Sequence, residues 1–108
     1  MEISNGLSGI NARFHGEARL EFLDSVAYYE AIQVGLGERF RQAIEAAVAL
    51  AASLPFAGSP HKYGTRRVFT KKFPFSVVYL VAGNEIVIFA VAHFKRKPGY
   101  WKNRRHDS

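Results

Sequence analysis

Eleven of the fifteen lysines and arginines in this chain fall after residue 60, and the densest group follows an apolar run. Ile86-Val87-Ile88-Phe89-Ala90-Val91-Ala92 leads straight into His93-Phe94-Lys95-Arg96-Lys97-Pro98-Gly99-Tyr100-Trp101-Lys102-Asn103-Arg104-Arg105. Cations interleaved with rings suit phosphate or an acidic peptide, because Coulomb attraction is joined by stacking worth roughly 1–3 kcal/mol per base. Lys95, Arg96, Lys97, Tyr100 and Trp101 are therefore candidate contact residues, and Arg66 and Arg67 on an earlier strand join them. Trp101 has a second reading, in which it folds back to cover a sheet. His93, at the rim of the apolar run, is either a histidine bonded to backbone or a general base.

Other chemistries are excluded. There is no cysteine, so disulfides and thiolate catalysis are absent. His15, His61 and His106 are scattered with no carboxylate at ligand spacing, which argues against a metal, and no motif calls for a cofactor. No stretch approaches the ~18 to 20 apolar residues of a membrane helix, and the first sixteen residues hold no secretory apolar segment, so a cytoplasmic protein is expected. The net charge of +6 is unevenly spread. Residues 1–60 carry four basic and seven acidic residues, net −3, and residues 61–108 carry eleven basic and two acidic, net +9.

At 108 residues one domain is expected, placed at 10–105 after a loose extension over 1–9. Ile10 to Phe14 alternates as a half-buried strand. From Glu17 the period becomes helical, with Phe22, Val26 and Tyr29 on one face, and Gly35 and Gly37 stop it. Phe40, Ile44, Ala47, Val48 and Ala51 mark a second helix, which Leu54-Pro55 ends. Strands follow at Arg66 to Lys72, Ser76 to Val81 and Glu85 to Ala92, with turns at Phe73-Pro74-Phe75 and Ala82-Gly83-Asn84. The order β-α-α-β-β-β predicts an α+β domain, a helical hairpin packed on one face of an antiparallel meander, the other face partly open. The last strand is apolar at both parities, which places it inside the sheet with the N-terminal strand on its far side.

Tyr28-Tyr29, Gly35-Leu36-Gly37-Glu38-Arg39-Phe40, Leu54-Pro55-Phe56, Arg66-Arg67-Val68, Phe73-Pro74-Phe75-Ser76-Val77-Val78-Tyr79 and the ending Arg96-Lys97-Pro98-Gly99-Tyr100-Trp101 come in one order over residues 10–105. Together they resemble the RelE/ParE superfamily of bacterial toxins, the toxin halves of type II toxin-antitoxin modules. The Phe-Pro-Phe turn, the Gly-Leu-Gly-Glu-Arg-Phe hairpin and the Arg-Lys-Pro-Gly-Tyr-Trp ending are most similar to the ParE-like side.

The resemblance implies a small basic toxin neutralised by a cognate antitoxin, which alone would carry it to operator DNA. Phe22, Tyr29, Phe40 and Ile44 of the helical hairpin would receive the antitoxin. ParE-like members poison DNA gyrase, and RelE-like members cut messenger RNA on the ribosome. For the second activity the resemblance implies cationic residues at Arg67, Phe69, Ser76 and Arg96, with Tyr100 or His93 moving the proton. Phe69 and Ser76 carry no charge, which tilts the reading towards binding. A degenerate, non-toxic module that only binds an antitoxin is the third possibility.

Overall fold

The computed structural model describes residues 2–3 and 10–104. Six strands form one mixed sheet: β1 (Glu2–Ile3), β2 (Asn11–Phe14), β3 (Ser59–Pro60), β4 (Arg66–Phe69), β5 (Phe75–Ala82) and β6 (Glu85–His93), in the order β1-β2-β6-β5-β4-β3. Helices α1 (Gly16–Ile32) and α2 (Leu36–Ser53) pack on one face. β6 takes the interior place, parallel to β2 and antiparallel to β5, as its unbroken apolar character requires. Of the segment read as a loose extension, Glu2–Ile3 pairs with Ala12 and Arg13 as an edge strand, and residues 4–9 lie outside the described residues.

The core between hairpin and sheet is built on rings. Phe40 meets Phe22, Tyr29, Phe73 and Phe75 at centroid distances of 6.3, 5.1, 5.2 and 4.8 Å. This corrects the antitoxin assignment: Phe22, Phe40 and Ile44 are fully buried, and Tyr29 is half-buried against the same rings. A helix turns its most apolar stripe to its own sheet first, since burying each such side chain is worth roughly 1.5–3 kcal/mol.

The hairpin turn differs from expectation in one respect. Gly35, at φ 89°, caps α2, whereas Gly37 lies inside it, where an added Cβ would stand 2.6 Å from the Val26 carbonyl oxygen. Gly35 has no side chain to cap with, and Glu30 of α1 supplies the acceptor, taking the Gly35 and Gly37 N–H groups at 3.0 Å each. Removing an N-cap acceptor costs about 1 kcal/mol, so Glu30→Ala should lower the unfolding free energy by that amount, read as a lower urea midpoint at constant slope. An unchanged midpoint would refute the capping role.

β4 is shorter than the sequence suggests. The Thr70 hydroxyl donates to the Phe73 and Phe75 carbonyls and Lys72 adopts φ 68°, which turns the chain early. A bulge in the β5–β6 pairing, at Phe89, turns Phe89 and Ala90 to the same side, so β6 presents Ile86, Ile88 and Val91 to the helices and Val87, Phe89, Ala90 and Ala92 to the opposite face.

Candidate functional site

The opposite face is closed by the tail, not left open. Beyond His93 the chain descends in turns, with backbone bonds from Arg96 to His93, Tyr100 to Lys97, Lys102 to Gly99 and Arg104 to Trp101, all 3.0–3.1 Å. Gly99 takes φ 84° against the Tyr63 ring, 2.9 Å from where a Cβ would be. Trp101 is thereby pressed onto the sheet, 1% exposed, boxed by His61, Tyr63 and Phe89 at 5.6, 5.9 and 6.4 Å. Its place among the contact residues is withdrawn, because a large ring beside bare Val78, Val87 and Ala90 gains more from burial than from solvent.

The tail is tied down by Glu21 of α1, which was not among the candidate site residues. Past the end of β2, the β6 edge finds partners in side chains: Val91 N–H donates to Glu21 Oε1 at 3.1 Å, and Arg104 Nη1 donates to the Phe89 carbonyl at 2.7 Å. Arg104 also grips Glu21 with both terminal nitrogens at 2.9 Å, and the Tyr100 hydroxyl donates to Glu21 Oε2 at 2.7 Å. Burial, then the bond to Glu21, raises the Tyr100 pKa, so the phenol keeps its proton at neutral pH. Arg96 stacks on that ring at 3.7 Å and stays half exposed.

In front of this knot is a pocket of about 200 Å³. Arg67, Phe69, Ser76 and Arg96 all line it, from β4, β5 and the tail, with His61, His93, Lys97 and Tyr100 around them. Arg67 crosses the face of Phe69 at 4.8 Å, and its Nε is buried without a partner, alone in this among the side-chain nitrogens and oxygens of the described residues. Burial, then the nearby Arg67 charge, lowers the His61 pKa. His93 accepts the Lys95 N–H on Nδ1 at 3.0 Å, which puts its proton on Nε2 and makes it a donor, not a ready base. Among the described residues no carboxylate lines the pocket.

Arg66 points to the other face, where it donates to the Phe56 and Gly58 carbonyls at 2.9 and 2.8 Å, and its contact role is corrected to that of a loop tether. Lys95 is exposed outside the pocket lining. His15 caps α1 through Nδ1, and among the described residues no group of histidines and carboxylates could hold a metal.

The profile of the family described as the ParE toxin of the type II toxin-antitoxin system parDE matches residues 12–98. The chain belongs to this family. Among solved structures it is similar in fold to a chain of the chromosomal ParDE toxin-antitoxin system from P. aeruginosa, with TM-score 0.65 and 22% identity, covering 83% of this chain and 98% of that one. No curated protein matches it.

This ParE-family chain carries a second concavity on its flank. Between α2 and the β4 edge run two adjoining hollows of about 280 and 510 Å³ that share Ala43 and Lys71. Ala46, Ala47, Leu50 and Val68 give an apolar floor, and Arg39, Lys71 and Lys72 a cationic rim. β3 pairs only with Arg66 and Arg67, so the β4 edge beyond them has no strand beside it among the described residues. No helix of the described residues is long and apolar enough to cross a membrane.

Proposed function

We propose that this ParE-family chain is a toxin that acts by binding: the pocket and basic tail engage DNA gyrase in the cytoplasm, and a cognate antitoxin neutralises it from the α2/β4 groove. The observation that carries the reading is the fixed state of the groups that would have to move protons. The Tyr100 hydroxyl is committed to Glu21, its pKa is raised, and His93 offers a donor where a base would need a lone pair. What remains at the pocket is positive charge and ring faces, which bind. Incubating the purified chain with gyrase and supercoiled DNA tests the target. Loss of supercoiling with accumulation of a cleaved complex is expected, and unaffected gyrase overturns the assignment.

One observation favours ribosome-dependent cleavage of messenger RNA as a second reading. Arg67, Phe69, Ser76 and Arg96, from β4, β5 and the tail, converge on one pocket beside Tyr100. That reading requires cut messages in arrested cells, and loss of toxicity in an Arg96→Ala, Tyr100→Phe double variant.

For the antitoxin, an apolar segment flanked by carboxylates fits the groove, either as a helix against α2 or as a strand added to β4. Ala46 is exposed on the groove wall, so Ala46→Glu adds bulk and the wrong charge without touching the core. Calorimetry should show antitoxin affinity falling by about 2–3 kcal/mol with the melting temperature unchanged. Undiminished affinity would place the antitoxin elsewhere.

A further inference from the structure

We infer that the outward face of α1 pairs with a second copy of this chain, the two α1 helices lying antiparallel across a two-fold axis. This goes beyond the proposed binding faces, since no α1 residue lines the pocket or the α2/β4 groove. A surface helix ordinarily sets an apolar stripe against the core and polar residues against water. α1 does the first with Ala18, Phe22, Val26 and Tyr29, but its opposite face is apolar too. Leu20, Leu23, Ala27 and Ala31 follow one another at three- and four-residue spacing there, and all four are exposed, the leucines at 51% and 43%. Asp24 turns instead to a hollow that it lines with His93 and Arg96.

The order of sizes along the stripe says what covers it. Both large residues come first and both small ones last. A two-fold axis near Ser25 sets Leu23 on Ala27 of the partner subunit and Leu20 on Ala31 of the partner subunit, each twice, so that a large side chain meets a small one along the whole seam. A parallel pair would stack leucine on leucine and leave a gap between the alanines. Charge obeys the same symmetry. Exposed Arg19 and Glu30 lie at near-equal distances on either side of Ser25, so the antiparallel pair brings opposite charges together at both ends. Glu30 Oε2 accepts the Gly35 N–H and, as a carboxylate oxygen, has a further lone pair for the guanidinium. By the helical rise the stripe is about 17 Å long. One helix face of that length falls short of the roughly 800 Å² per partner of a standard interface, so the dimer is a weak one that forms at micromolar concentration.

Sedimentation equilibrium of the full chain, from low to high micromolar concentration, tests this. A reversible monomer–dimer equilibrium is expected. Ala27→Glu, at an exposed helical position, should leave the melting temperature unchanged and weaken association roughly 100-fold, because it sets like charges together near the middle of the seam. Ala46→Glu, in the α2/β4 groove, should leave association unchanged. The chain has no cysteine, so oxidation of introduced thiols reads the orientation. Leu20→Cys and Ala31→Cys chains should cross-link when mixed and not when oxidised separately. A monomer at every concentration, species larger than a dimer, a dimer indifferent to Ala27→Glu or equally weakened by Ala46→Glu, no cross-link in the mixture, or an Ala31→Cys chain that cross-links to itself overturns the pairing. So does a monomeric chain whose antitoxin affinity falls with Ala27→Glu, which gives this face of α1 to the antitoxin instead.

Discussion

Trp101→Ala is expected to destabilise the fold by about 4 kcal/mol, within the usual range for emptying a buried aromatic site. The ring is 1% exposed, contacts His61, Tyr63 and Phe89, and lies on the cluster formed by Val78, Val87 and Ala90. Its removal leaves one whole face of β6 and the bulge at Phe89 with a void where a ring had packed. Native domains hold only about 5–15 kcal/mol in total, so much of the margin goes. Urea denaturation followed by far-ultraviolet dichroism reads the loss, and a change below about 1 kcal/mol would mean that the tail is not packed on the sheet.

Glu21→Gln is expected to cost about 3 kcal/mol, lowering the melting temperature by roughly 10–20 °C. The carboxylate receives the Val91 N–H, the Tyr100 hydroxyl and both terminal nitrogens of Arg104, with both partners of the ion pair largely withdrawn from water. An amide keeps one acceptor and turns an N–H towards the guanidinium. A double-mutant cycle with Arg104→Met should give a coupling of about 2 kcal/mol, and strict additivity would remove the pair from the account.

The same knot sets an alkaline limit. The Tyr100 pKa is raised in the folded state, so its contribution is fully present below the unfolded tyrosine value of about 10 and is lost as pH rises towards the folded value. Tyr29 and Tyr79 shift in the same direction through burial and add to the slope. Unfolding free energy should therefore decline above pH ~10, and Tyr100→Phe should flatten the decline. An unaltered slope would show that the hydroxyl is not held by Glu21.

The sequence made the architecture legible because each element carried its own period. The both-parity apolar run of β6 announced an interior strand, and Leu54-Pro55 marked the end of α2. Function was harder to read for a physical reason. An apolar stripe such as Phe22, Phe40 and Ile44 identifies a buried face but not what buries it, and here that is the chain's own sheet. Trp101 posed the same problem in reverse, since only the bulge at Phe89 reveals a second face needing cover. Glu21 was silent because its partners, Val91, Tyr100 and Arg104, lie 70 to 83 residues away. The convergence of Arg67 and Arg96 depended on register across β4, β5 and β6, which alternation alone does not fix.

The parallel pairing of β2 with β6 has a consequence for how the molecule comes into being. Residues 11–14 find their partners at 85–88, so the strand on which both helices and β5 depend is synthesised after all of them. A growing chain can pack α1 on α2 and pair β4 with β5 but lacks the strand that joins them to β2, and contacts this distant in sequence form slowly. Folding thus waits on the final strand and proceeds as one event. Until that strand and the tail beyond it emerge, the pocket does not exist, and the nascent chain has no such surface to offer to a target.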